Sequence, residues 1–369
     1  MASPLYNVSG VKISGISAAV PTESVPLTEF HDLFGSDYVS QFSASSGIRR
    51  LRRAARGQTA SDLCAAAAEQ LLTERDLDRG EIGLLIFASL SPDYRRPSTA
   101  CILQNRLGLS TGCGAFDLGL GCSAYPYALL TAASLLAASD ARQALVLAGE
   151  TMTKNTGPRD RSTVMLFGDA GTCTLLEKSD DSSIRGLLTT DGEGYRDIIV
   201  PAGGFRNPGL PCGEEEGADG CRRSLSNLVM NGMNVFSFSI GAVPRAIREF
   251  YRLSKTDANC YDLFALHQSN KQILQKIAEK IGAPFEKIPL CLDEFGNTSA
   301  ASIPLALSAA LGGSDVAERR ETLFCGFGVG LSCGVASASI VPRDILPPIE
   351  TDEVFSEGMI RKLADLDED

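Results

Sequence analysis

The sequence predicts an α/β protein with a parallel sheet and helices on its faces. Three observations carry the prediction: apolar runs of strand length alternate with Ala-rich helical stretches, glycine occurs 36 times, and only 21 % of residues are charged while 44 % are apolar. Alternation of this kind builds βαβ units. The composition is that of a tightly turned globular chain rather than a solvated or disordered one.

In the first half, a strand over 82–89 is followed by a helical stretch over 98–107, a strand over 114–118, a helix over 123–138 and a strand over 144–149. The theme returns with a helix over 232–253, a strand over 261–266, helices over 270–281 and 299–311, and strands over 322–326 and 335–341. Residue-level self-similarity is absent, so the duplication is one of structure. A single core stops growing near about 250–300 residues, and 369 residues supply two halves. We place them at 1–180 and 181–343, followed by an acidic tail over 344–369. The stretch 201–223, rich in Gly, Pro and acids, reads as a surface insertion near the join.

Net charge is −11, and the tail, with nine acids and two bases, accounts for −7 of it. An acidic balance opposes nucleic-acid binding, which needs a basic surface. Such a tail reads as a solvated extension, within which 354–366 has the pattern of a short amphipathic helix, marginal on its own in water. No apolar run approaches a membrane span, and Met1 to Gly10 lacks the basic start and apolar core of a secretory signal. A cytoplasmic protein is expected. Eleven cysteines without CxxC spacing point to reduced thiols rather than disulfides or a metal site; Cys212 and Cys221, which bracket the acidic insertion, are read the same way.

Chemistry is limited by histidine, of which there are two. His267 ends an apolar run before a helix, where α/β proteins present functional groups at the carboxyl edge of the sheet. Cys122 follows Gly119 and Gly121 at the start of a helical stretch, where the helix dipole and free N–H groups lower a thiol pKa. Asn297 follows Gly296 and precedes Thr298-Ser299. Taken singly, each also has a structural reading: a packed thiol, a hydrogen-bonded strand-end imidazole, and a helix cap.

Together, Cys122 after Phe116-Asp-Leu, Phe167-Gly-Asp-Ala-Gly171, His267-Gln-Ser-Asn270, Gly296-Asn-Thr-Ser-Ala-Ala-Ser302 and Gly326-Phe-Gly-Val-Gly330 resemble the beta-ketoacyl-acyl carrier protein synthase III family of thiolase-fold condensing enzymes. The resemblance runs from about Val8 to Pro342. It implies a thiolase-like duplicated α/β/α/β/α five-layered fold, a homodimer, and a catalytic Cys122, His267 and Asn297. Cys122 would take an acyl group from an acyl-CoA, with the N–H groups of Cys122 and Val329 as oxyanion hole. A malonyl thioester on acyl carrier protein or CoA would then lose carbon dioxide and condense, its enolate held by His267 and Asn297. No metal, nucleotide or redox cofactor is called for.

The elongating synthases of this fold need a second catalytic histidine, and His31 lies far from any matching motif. Thiolases need a Gly-His-Pro motif that is absent, which leaves Cys325 a packed strand thiol. The resemblance assigns Arg49 and Arg161 to CoA phosphate or nucleotide contacts, suited to a bidentate guanidinium. Asn270, Lys271, Lys276 and Lys280 would face the carrier. Met233 and Gln272 replace an asparagine and an arginine found in well-known members. Arg96, before Pro97, stands where the family places an apolar residue that crosses the dimer to floor the partner's acyl pocket. A buried arginine needs a counter-charge, so Arg96 points to a carboxylated or polar starter unless it pairs with Asp93 or faces solvent. Two other readings are an acyltransferase of the same fold acting on an amine or alcohol, and a silent subunit of a hetero-oligomeric synthase.

Overall fold

In the computed structural model, residues 3–209, 213–217 and 219–366 are described. Nine strands form one sheet: β1 (Tyr6–Pro21), β2 (Ile82–Ala88), β3 (Gly114–Leu118), β4 (Gln143–Glu150), β5 (Ala170–Thr190), β6 (Leu263–Leu266), β7 (Arg320–Gly328), β8 (Ser332–Ile340) and β9 (Ile349–Thr351). The principal helices are α1 (Ala60–Glu74), α2 (Thr99–Arg106), α3 (Ala124–Ala137), α4 (Gly232–Ser254), α5 (Lys271–Ile281) and α6 (Ser302–Leu311). Strand order is β6-β7-β8-β5-β4-β2-β3, with β1 beside β5 and β9 beside β1.

The sheet is mixed rather than parallel throughout. Parallel pairing occurs where a helix crosses over, as between β2 and β3 or β2 and β4. Between β4 and β5, and between β7 and β8, no α-helix crosses the sheet, and the strands pair antiparallel. Residue 180, taken above as the join of the halves, lies within β5, which spans both with β1 alongside.

Side-chain alternation along the strands sorts the layers. Leu85, Phe87, Leu145 and Leu147 pack with α1 and α2, whereas Ile86 and Val146 face the other way, onto α3. In the second half Phe324 joins that same central cluster, and Leu323 and Phe327 turn outward to α4 and α5. Helices α3 and α6 therefore lie between two sets of strands, giving five layers. Their sequences agree: both are Ala- and Leu-rich with buried residues on every side, whereas α5 is amphipathic, burying Ile273, Leu274, Ile277 and Ile281.

The tail departs from expectation. Residues 349–360 lie across α1 and the loop after β2 instead of extending into solvent. Gln58 donates to the carbonyls of Thr351 and Glu353, Phe355 N donates to the buried Asp62, and Arg106 stacks 4.7 Å over the Phe355 ring. Isolated 3-10 turns at Ser356–Gly358 and Leu363–Leu366 replace the expected helix; packing of separate side chains into separate sites outweighs a marginal helical preference. In the insertion, Glu215–Glu216 pairs with Arg222–Arg223, and Arg223 pins the segment to the buried Asp160 at 3.1 Å. Cys221 is a free thiol; Cys212 lies outside the described residues.

Candidate active site

Cys122, His267 and Asn297 line one cavity of 520 Å³ beside α4. Each arrives at the end of an element. Cys122 follows the β3 edge and stands one residue before Ser123, the N-cap of α3. His267 follows β6 and is fixed by its backbone N–H donating to the Cys325 carbonyl at 2.8 Å. Asn297 is held on both sides of its peptide, donating to Leu166 O at 2.9 Å and accepting from Gly168 N at 3.1 Å. Gly168 is obligatory here, since a Cβ would lie 2.1 Å from the Phe295 carbonyl oxygen.

Ser299 joins the group. Its backbone N–H donates to Asn297 Oδ1 at 2.9 Å, which leaves the Asn297 Nδ2 hydrogens as donors. Its Oγ lies 3.4 Å from Cys122 Sγ, and its φ of 50° is left-handed, a costly conformation for serine of the kind that clusters at functional sites. Across the cavity, Gly328 has φ 152° and would put a Cβ 2.8 Å from that of Cys122. Only glycine lets this loop approach the thiol so closely. The Phe327 ring meets the His267 ring edge-on, 5.3 Å between centroids.

The thiol overturns one expectation. Burial pushes Cys122 up to about 11, although the Ser299 hydroxyl and the N–H groups of Cys122 and Val329 pull the other way and Glu150 adds to the rise. Loss of water outweighs the helix end. The amides of both Cys122 and Val329 bear on Sγ. Burial pushes His267 down to about 3, so its imidazole is neutral. Its Nδ1 lies 2.7 Å from Ser302 Oγ.

The remaining candidates divide by position. Asn270 lines the cavity and caps α5, its side chain accepting from Gln272 N and Ile273 N. Arg49 and Lys271 border a neighbouring shallow depression, where Arg49 pairs with Asp293 at 2.6 Å. Arg161 is exposed and stacks over Tyr38. Lys276 pairs with Glu279, and Lys280 donates to the Ile240 carbonyl. Met233 is 81 % exposed, and Gln272 is exposed as well. Arg96 does not line this cavity; it is exposed, its guanidinium 5.8 Å over the Phe205 ring. Asp93 accepts from Ser61 instead of pairing with it.

Sequence reasoning passed over Ser299, Ser302 and Phe327 although all three stand in quoted motifs. Glu150 was also missed. It is fully buried at the end of β4 and accepts from Leu90 N at 3.0 Å, with Ser89 and Ser91 hydroxyls completing its shell. A conspicuous signal preceded it: a lone acid closing an otherwise apolar strand.

The chain is similar to known proteins over most of its length. Residues 116–192 match the family described as 3-oxoacyl-[acyl-carrier-protein (ACP)] synthase III, and residues 253–340 match its C-terminal domain. A beta-ketoacyl-[acyl-carrier-protein] synthase III from Rhodopirellula baltica is 35 % identical over 351 residues, covering 89 % of this chain and 98 % of the relative. The crystal structure of a 3-oxoacyl-(acyl-carrier protein) synthase from Burkholderia xenovorans superposes with a TM-score of 0.89 at 37 % identity, covering 95 % of this chain and 99 % of that one. A synthase III from Thermus thermophilus gives 0.77 at 31 %, covering 89 % and 99 %. With Cys122, His267 and Asn297 gathered at one cavity and similarity running through nearly the whole chain, this protein belongs to the beta-ketoacyl-[acyl-carrier-protein] synthase III family.

Proposed function

We propose that the protein transfers an acyl group from an acyl-CoA to Cys122 and condenses it with a malonyl thioester, on acyl carrier protein or CoA, to give a β-ketoacyl thioester. The observation that carries this reading is the convergence of a thiol, a neutral imidazole and an amide donor on one apolar cavity.

In the first stage Cys122 Sγ attacks the thioester carbonyl. The tetrahedral oxyanion takes hydrogen bonds from the N–H groups of Cys122 and Val329, donors fixed before the charge appears. Collapse expels the carrier thiolate, and the proton that left Sγ ends on that sulfur. In the second stage the malonyl carboxylate departs as carbon dioxide, and the electron pair moves onto the thioester oxygen. Asn297 Nδ2 and His267 hold that enolate. Its carbon attacks the acyl-Cys122 carbonyl, the carbon–sulfur bond breaks to release the Cys122 thiolate, and a proton taken up from solvent restores the thiol. Decarboxylation supplies the carbanion, so the bond forms without a metal, nucleotide or redox group.

Asn297 favours condensation over simple acyl transfer to an amine or alcohol, because a second preorganised donor set serves the enolate. A silent scaffold role has no use for a strained Ser299 and an amide aimed by it. The basic Arg49 and Lys271, which line a separate depression, suit the phosphate of CoA or of a carrier arm. In a homodimer, Arg96 would reach the acyl end of the second copy's cavity, where an anionic or polar starter would answer its charge.

Intact-protein mass spectrometry after incubation with short, long and dicarboxylic acyl-CoAs tests the first stage. One acyl mass gained by the wild type and absent from Cys122→Ala supports it; no gain with any donor counts against it.

A further inference from the structure

The loop between β2 and α2, residues 89–98, carries Leu90 into the wall of the active-site cavity. Leu90 keeps 42 % of its surface exposed, so the backbone of its loop, more than core packing, sets where it stands. The two ends of the loop are fixed from within the sheet. Glu150 accepts Leu90 N at 3.0 Å, and Asp117 accepts Thr99 N at 2.8 Å and Ala100 N at 2.7 Å. The middle is held from elsewhere. Asp93 accepts from Ser61 Oγ on α1 at 2.7 Å, and the Tyr94 hydroxyl donates to the Gly358 carbonyl at 2.5 Å while accepting from Ile360 N at 3.0 Å. Both functions of the phenol are thus spent on the backbone of the tail.

The tail is anchored firmly enough to be the fixed side of this tether. Phe355 N donates to the buried Asp62 at 3.0 Å. Arg106, its side chain 9 % exposed, holds Asp62 at 2.5 Å and Glu353 at 3.2 Å. Met359 lies so close over Gly57 that a Cβ there would come within 2.6 Å of its methyl. Tyr94 and the tail both fall outside the matched family segments, 116–192 and 253–340. On the cavity side, a Cβ on Gly121 would lie 3.0 Å from Leu90 Cδ1, so Leu90 stands beside the residue that precedes the nucleophile. An acyl group on Cys122 extends into the space that Leu90 walls.

We propose that residues 353–360 act on starter selection: by clasping Tyr94 they hold the loop 89–98, fix Leu90 against Gly121, and limit the length of acyl chain that Cys122 accepts. Tyr94 is a positioning residue in this role. A freed loop lets Leu90 withdraw, and longer apolar chains gain room. The selection rests on the acyl-CoA reading above; the tether itself does not.

Tyr94→Phe removes the hydroxyl alone, and a stop codon after Thr351 removes the strap while leaving β9 paired with β1. Amide hydrogen exchange over 89–98 should quicken about five- to tenfold in Tyr94→Phe, the worth of one hydrogen bond, and further in the truncated protein. Acylation of Cys122 from an equimolar mixture of straight-chain acyl-CoAs, acetyl to dodecanoyl, is read by intact mass. The ratio of long-chain to acetyl product should rise about tenfold in the truncated protein, the scale of a changed fit in an apolar pocket. Acylation by acetyl-CoA alone should hold, because its oxyanion hole is made of backbone N–H groups. A merely structural role would instead lower every donor together with Tm.

An unchanged ratio in the folded variants, a uniform loss across all donors, or unchanged exchange over 89–98 would overturn the proposal. If the truncated protein does not fold, Tyr94→Phe decides alone. A wild type that takes an acyl group from no donor removes the acyl-CoA reading, and the exchange rates still decide whether the tail tethers the loop.

Discussion

Glu150 holds Leu90 by its backbone: the buried carboxylate at the end of β4 accepts the Leu90 N–H at 3.0 Å, and the Leu90 side chain forms part of the active-site wall. A Cβ on Gly121, the residue before Cys122, would lie only 3.0 Å from Leu90 Cδ1. No cation pairs with Glu150 among the described residues, so hydroxyls and one amide carry its whole charge.

That arrangement has a pH signature. Burial lifts Glu150 to about 7 against the hydrogen bonds from Ser91, Leu90 and Ser89. The folded protein holds this proton more tightly than the unfolded chain. Glu150 therefore contributes stability below the unfolded carboxyl range and loses it as pH rises through about 7. Glu150→Gln should flatten the fall in Tm between about pH 4.5 and about pH 7, the span between the ordinary and the raised carboxyl value. Parallel melting curves of the two proteins check this; identical slopes would show that Glu150 titrates elsewhere.

Cys122 should behave as a thiol in the substrate-free enzyme. With its pKa pushed up to about 11, the thiolate fraction, and with it the rate of iodoacetamide labelling at this site, should climb about tenfold per pH unit from neutrality to about pH 9. Peptide mapping of labelled protein measures it. A plateau near neutrality would mean that the helix end outweighs burial after all.

Asn297→Ala should separate the two stages. Loss of one enolate donor should slow condensation about 100- to 1000-fold, while acetylation of Cys122 persists. Single-turnover assays with preformed acyl-enzyme resolve the two; equal loss of both stages would place Asn297 in the first.

Asp169 bears on stability rather than chemistry. Its buried carboxylate accepts Ala54 N at 2.8 Å and Thr153 N at 2.9 Å. Asp169→Ala strands both donors, each at a cost of about 1–3 kcal/mol, and should lower the urea midpoint accordingly.

Arg96→Leu addresses the starter. If Arg96 answers an anionic acyl end, the variant should lose turnover of a glutaryl thioester relative to acetyl and octanoyl. Comparable turnover of all three by wild type and variant would remove that assignment.

Much of this site was legible before any coordinates. Cys122, His267 and Asn297 stand at element ends marked by glycine or by the close of an apolar run, and such boundaries are local in sequence. Two long strands were not legible. Tyr6–Pro21 and Ala170–Thr190 carry Ser, Thr, Lys, Asp and Gly among their apolar residues, because the start of the first and the middle of the second pass out of the core and no single period describes them. Likewise the thiol pKa, the seat of Arg96 on Phe205 and the Ser302 contact with His267 depend on what surrounds each residue in space. The tail misled for the same reason: its acids find Gln58, Arg106 and Thr22 far back along the chain.

The long first strand also sets an order of events during synthesis. Tyr6 to Ala19 pair with residues between Gly171 and Gly186, and Ala19 to Pro21 wait for Ile349 to Thr351. A ribosome must therefore deliver the whole first half before the opening strand finds its neighbour, and nearly the entire chain before its far end is closed. Contacts so distant along the chain form slowly. Until then the nascent protein presents an unpaired apolar edge, and it is at this stage that holding chaperones would matter most.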